Sequence, residues 1–146
     1  MLNISGSRWA LLAVLVLCSA CSSGNSHRWA AMIVEFDVFS GRPNPTWSLS
    51  SEQTMELNEA LRNLPPTDEL AGEPSLGYRG FILLNPDKAG GLAPHIRIYG
   101  GIVTMVDDQV QSYRDVHGVE RRLLVQASQY GYKAIVESIL GGMPNL

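Results

Sequence analysis

The chain has 146 residues, 45% of them apolar, which is enough for one domain with a packed core and too apolar for disorder throughout. Eleven Lys and Arg face fourteen Asp and Glu, a formal charge of −3, and the cations are scattered singly apart from Arg121-Arg122. That balance excludes an electrostatic match to phosphate polymers, so no nucleic-acid partner is expected.

Met1–Arg8 is polar and weakly positive, Trp9–Leu17 (WALLAVLVL) is an apolar run, and Cys18–Ser23 (CSACSS) is small and polar. The run is shorter than the roughly 20 residues that span a bilayer, and the three parts have the layout of an export signal. Ser19-Ala20-Cys21-Ser22 resembles a bacterial lipoprotein box, with Cys18 where a leucine is usual and Leu17 one step early. The resemblance implies cleavage before Cys21, attachment of diacylglycerol to its thiol and acylation (palmitate or a similar chain) of the new amine. Residues 1–20 are then signal peptide and residues 21–30 a lipidated cysteine with its tether. The protein would be lipid-anchored in the cell envelope, on the outer membrane facing the periplasm if the cell is Gram-negative, since Ser22 is not the aspartate that signals retention. The alternative is a cut by signal peptidase I after Ala20, leaving a soluble secreted or periplasmic protein. Cleavage removes Cys18 and leaves one cysteine, so an internal disulfide, a cysteine metal site and a redox pair are all excluded. Ser22–Trp29 (SSGNSHRW) reads as a flexible tether with a reach on the order of 16 Å.

The rest, 31–146, reads as one α+β domain. Ala31–Phe39 (AMIVEFDVF) alternates with period two and predicts a half-buried strand. Ser50 followed by Gln53 predicts a capping box, and Leu57, Leu61 and Leu64 continue a helix that Pro65-Pro66 stops. Thr67–Leu76 is an expected exposed loop. Tyr78–Leu84 (YRGFILL) predicts a second strand and Asn85–Pro94 a Gly/Pro loop. His95–Val106 is either one long strand kinked at Gly100-Gly101 or a Gly-Gly hairpin pairing Ile98 with Val103 and Ile96 with Met105. Gln109–Arg114 returns as a strand. Asp115 is placed to cap a helix with Val119, Leu123, Ala127 and Tyr130 on one face, Gly131 suits a helix end, and Lys133–Leu140 predicts a last short helix closed by Gly141-Gly142. The order predicts a mainly antiparallel sheet of about four strands with two to three helices packed on one face. Its second face would be left available, with Glu35, Asp37, His95, Arg97 and Tyr99 as candidates to line it.

Ser40–Trp47 (SGRPNPTW) is the most constrained stretch. Gly41 accepts a positive φ, and Pro43 and Pro45 fix their own φ while restricting Arg42 and Asn44. One reading is a stiff corner anchored by Trp47. The other is a rigid recognition loop in which Arg42 meets an anionic group, Asn44 supplies hydrogen bonds and Trp47 stacks, with Arg79 and Arg97 as further binding candidates. The stretch holds no nucleophile, acid or base, which favours the corner.

Together with Gly77–Phe81 (GYRGF), Tyr99-Gly100-Gly101, Glu120-Arg121 and Leu123-Leu124, the SGRPNP run resembles a group of small bacterial and fungal proteins of uncharacterised activity. The resemblance implies one ancestral domain over nearly all of the mature chain and says nothing of mechanism. His27, His95 and His117 share no ligand spacing, no nucleophile elbow, P-loop or dinucleotide fingerprint occurs, and no cofactor or metal is expected. The leading expectation is therefore a non-catalytic domain, held to the membrane by an N-terminal lipid, that binds another envelope protein or an envelope polymer. The alternatives are a small envelope hydrolase using Asp37, His95 and Arg97 on the open sheet face, and a structural spacer or assembly module for which Met32, Phe36 and Phe39 are the apolar residues to watch.

Overall fold

The computed structural model describes residues 31–74 and 77–142. The export signal, Cys21 and the tether lie outside the described residues. The chain forms β1 (Ile33–Phe36), β2 (Thr46–Ser48), α1 (Ser51–Arg62), β3 (Phe81–Leu84), β4 (His95–Tyr99), β5 (Ile102–Val106), β6 (Val110–Arg114), α2 (Val119–Ala127) and α3 (Lys133–Gly142). The strands make one antiparallel sheet in the order β2-β1-β3-β4-β5-β6.

The α+β class and the antiparallel sheet are as expected, but the sheet has six strands rather than about four. The glycine pair accounts for one of the added strands. Gly100 and Gly101 both take positive φ (60° and 76°), the turn that matches the twist of a two-residue hairpin, and Ile98 pairs with Val103 and Ile96 with Met105. The other is β2, cut from the stiff stretch itself. Phe36 N donates to the Pro45 carbonyl and Leu49 N to the Met32 carbonyl, both at 2.9 Å, so the corner continues into a short edge strand. Pro45 needs only its carbonyl there, which is how a proline is tolerated at a sheet edge.

Helix α1 starts with the expected capping box: Gln53 N donates to Ser50 Oγ (3.1 Å) and Ser50 N to Gln53 Oε1 (2.9 Å). The carboxylate of Asp115 accepts from Val119 N (2.8 Å) and Glu120 N (2.9 Å), although Gly118 occupies the cap position itself. After α2 a π-turn over Ser128–Tyr132 contains Gly131 at φ 96°. Helix α3 runs on through Gly142, so Gly141-Gly142 belong to the helix instead of closing it.

One face of the sheet carries the core. Register places Trp47, Val34, Leu83 and Ile96 in one row, and Phe36, Phe81, Ile98 and Val103 in the next. Leu57 and Leu61 of α1, Val119, Leu123, Leu124 and Ala127 of α2, and Val136 of α3 complete the same cluster. Each of the Val, Leu, Ile and Phe side chains contributes roughly 1.5–3 kcal/mol when fully buried. Met32 and Phe36 are fully buried within this cluster, and Phe39 packs against it from a half-buried position. Among the described residues no helix is long and apolar enough to cross a membrane.

Candidate functional site

The proline-rich corner is held by one side chain. Asn44 Nδ2 donates to Glu35 Oε1 (2.8 Å) and Asp37 Oδ1 (3.0 Å), and its Oδ1 accepts from the backbone N–H of Val38 (3.2 Å) and Phe39 (2.9 Å). Both amide hydrogens and both acceptor sites are thereby used. Arg42 lays its guanidinium over the Phe39 ring, 3.3 Å from the centroid. Trp47 is 8% exposed, donates Nε1–H to Gln126 Oε1 (3.0 Å) and stacks on Tyr130, so it sits in the core between β2 and the π-turn.

Behind Asn44 lies Asp37, just past the end of β1 and buried. Its carboxylate meets two arginines. Arg79 Nη2 donates to Asp37 Oδ1 and to the Phe39 carbonyl (2.8 Å), while Nη1 donates to Ser40 Oγ (3.1 Å). The bond to Asp37 holds the Arg79 guanidinium above its ordinary pKa. Arg97 Nη2 donates to Asp37 Oδ2 (3.4 Å) and to the Arg79 carbonyl (3.0 Å). Of the candidate set Asp37, His95 and Arg97, the fold therefore joins the first and last. His95 lies opposite Leu84, in the row of Ile33, four residues down the strand from Asp37. At ~3.3 Å per residue that is roughly 13 Å along the sheet, beyond hydrogen-bond reach.

A second buried polar centre was not singled out from the sequence. Glu120 is 5% exposed and accepts from Tyr78 Oη–H (2.7 Å), Gly100 N (3.2 Å) and Gly101 N (2.9 Å), pinning the β4–β5 turn to α2. Burial, reinforced by the Glu120 carboxylate, pushes the Tyr78 hydroxyl far above its ordinary pKa. Glu120 is in phase with Leu123, Leu124 and Ala127, and that placement of an acid on an apolar stripe was the available signal. Gly80, between the two centres at φ 96°, has no room for a side chain: a Cβ there would lie 2.1 Å from the Ile98 carbonyl oxygen. The SGRPNP, GYRGF, YGG and Glu120-Arg121 stretches thus meet through Asn44–Asp37–Arg79 and Tyr78–Glu120–Gly100/Gly101.

The sheet face away from the helices is crossed by two rows. One reads Thr46, Glu35, Ile82, Arg97, Thr104, Ser112, and the other Ser48, Ile33, Leu84, His95, Val106, Val110. Ile33, Val106 and Val110 are 36%, 38% and 68% exposed, while Ile82 and Leu84 are half-buried. Beyond the first row, the segment around Glu69–Glu73 crosses the face, tied by Arg114 to Glu69 and by Tyr99 Oη–H to the Glu73 carbonyl (3.4 Å).

On the helix side, a cleft of about 280 Å³ opens between the end of α1 and β5–β6, lined by Leu61, Arg62, Leu92, Met105, Gln109 and Tyr113 among others. Among the described residues no group of three His, Cys, Asp or Glu side chains is placed to hold a metal ion. No family model matches the chain, and no curated protein or solved structure matches it either.

Proposed function

We propose that this chain is a lipid-anchored envelope protein whose domain works by docking rather than catalysis, through the helix-free face of its sheet. The observation that carries the reading is the row Ile33, Leu84, His95, Val106 and Val110, an aliphatic pair on either side of an exposed histidine, on a face that no helix covers among the described residues. The candidate set for chemistry supports it from the other side, since Asp37 and Arg97 are engaged with each other, with Arg79 and with a backbone carbonyl, and His95 lies out of their reach. The envelope location rests on Ser19-Ala20-Cys21 behind a short apolar run. Mass spectrometry of the mature N-terminus tests the anchor: Cys21 carrying diacylglycerol and an acyl chain is expected, and an intact leader or an unmodified thiol would overturn it. A photo-crosslinker at Val106 tests the docking face in cells, against a control at Val125, which is 49% exposed on α2. Adducts from position 106 alone are expected. Equal yields from both positions would remove the docking role.

A further inference from the structure

We propose that the occupant of the bare sheet face is a second copy of this chain on the same membrane, packed face to face about a two-fold axis that runs along β3. The inference rests on the lipid-anchored reading above and names its partner.

The argument starts from the row Glu35, Ile82, Arg97, in which an acid and a base flank a central isoleucine on adjacent strands β1, β3 and β4. A two-fold axis lying between two such sheets, along the strand direction over β3, exchanges the β1 and β4 positions. Glu35 of each copy then faces Arg97 of the other, and Ile82 faces Ile82 on the axis itself. One strand-step away, Leu84 meets Leu84 and Ile33 meets His95. Stacked sheets sit about 10 Å apart with strands within about 30° of one another, and contacts closest to the axis are the least disturbed by sheet twist. Opposite charges face each other twice and an aliphatic pair is buried between them, which is the self-complementarity an isologous interface requires. Arg97 and Glu35 can each serve in both places: among the described residues Arg97 bonds through Nη2 alone and is 43% exposed in its side chain, and Glu35 takes the Asn44 amide on Oε1 alone, leaving Oε2 for the partner copy.

The position of the tether adds an independent point. The chain comes into the sheet at Ile33, the start of β1. A rotation about the strand direction leaves heights along the strands unchanged, so both copies receive their tethers at the same end of the dimer and both reach one bilayer. A face-to-face pair with its axis across the strands would send the tethers to opposite ends.

Size explains why a membrane is needed. With the axis over β3, β2 to β5 of the two copies overlap and β6 with Val110 lies beyond the contact. Two rows across those five strands cover on the order of 300 Å² per copy at ~4.8 Å between strands. A stable interface takes about 800 Å² per partner, so the free domains associate weakly. Confinement by lipid anchors raises the effective concentration and makes a small interface sufficient, as a linker does.

Cysteine cross-linking of the full-length lipidated chain tests the arrangement. Ile82→Cys should give a disulfide-linked homodimer in oxidised envelope membranes, whereas Ile33→Cys alone should not, and Ile33→Cys combined with His95→Cys should. Adding Glu35→Arg to Ile82→Cys should lower the link by about tenfold or more, and further addition of Arg97→Glu should restore it. Membrane fractionation and N-terminal mass spectrometry on the same samples separate the two readings. A lipidated, membrane-bound chain with no link through position 82, or with a link through position 33 alone, overturns the dimer and leaves the docking face standing. Adducts at Val106 to a different protein or to lipid, with no link at 82, do the same. An unlipidated Cys21 removes the anchor and the dimer together.

Discussion

The two ends of the sheet are built on opposite plans. Where β1 leaves the sheet and the glycine hairpin turns, Asn44, Asp37, Arg79, Tyr78 and Glu120 bond to one another and to the backbone around them. At the other end, Ile33, Leu84, His95, Val106 and Val110 lie across the strands on a face without a helix among the described residues. The braced end owes its rigidity to donors and acceptors that have nowhere else to turn. The other end makes less of that demand, because four of the six side chains in its row are aliphatic. Asn44, Asp37, Arg79 and Arg97, candidate site residues in the sequence, thus brace the fold at the first of these ends.

Substitutions can break this contrast, and the largest effect belongs to Glu120. Glu120→Ala leaves the Tyr78 hydroxyl and two glycine N–H groups without their acceptor, and should cost about 3 kcal/mol or more in urea unfolding. Asn44→Ala frees the Val38 and Phe39 N–H groups and leaves Glu35 and Asp37 adjacent without a shared donor, and is expected to cost about 2 kcal/mol in the same measurement.

Alkaline pH acts on the same end. Tyr78 holds its proton more tightly folded than unfolded, so its contribution is complete below the unfolded value of about 10 and is lost as pH rises above it. Stability should fall there by up to about 1.4 kcal/mol per pH unit, and Tyr78→Phe should remove that slope. The smallest effect is the one that sharpens the comparison: Val106→Thr, on the bare end, should change monomer stability by no more than about 0.5 kcal/mol. A large loss at Val106, or a negligible one at Glu120, would mean that the two ends are not distinct.

Local signals carried much of the fold. Ser50 and Gln53 announce α1 because a capping box is closed within one turn, and Gly100-Gly101 suggests a hairpin register because the turn sets the pairing by itself. Strand β2 escaped because three residues between a proline and a helix cap are too few to show a period, and Trp47 alone reads as an anchor. The braces escaped for a different reason. Asp37 finds Arg79, and Tyr78 finds Glu120, only after β3 has come to lie between distant parts of the chain, and no spacing rule encodes that. Glu120 was the exception, since its phase with Leu123 and Leu124 was visible, although an acid in the first turn of a helix is equally at home in solvent.

The pairing of β1 with β3 sets an order of assembly. The β1–β2 hairpin and the β3–β4–β5–β6 meander each close through near neighbours in the chain, whereas Phe36 must find Phe81 with all of α1 and its following loop between them. Of the strand pairings, that seam closes the longest stretch of chain, so stopped-flow refolding is expected to show Phe36→Leu and Phe81→Leu slowing folding more than a substitution in the β5–β6 hairpin. The stacked Phe36 and Phe81 rings, their centroids 5.0 Å apart, sit on that seam and tie the two stretches of chain together.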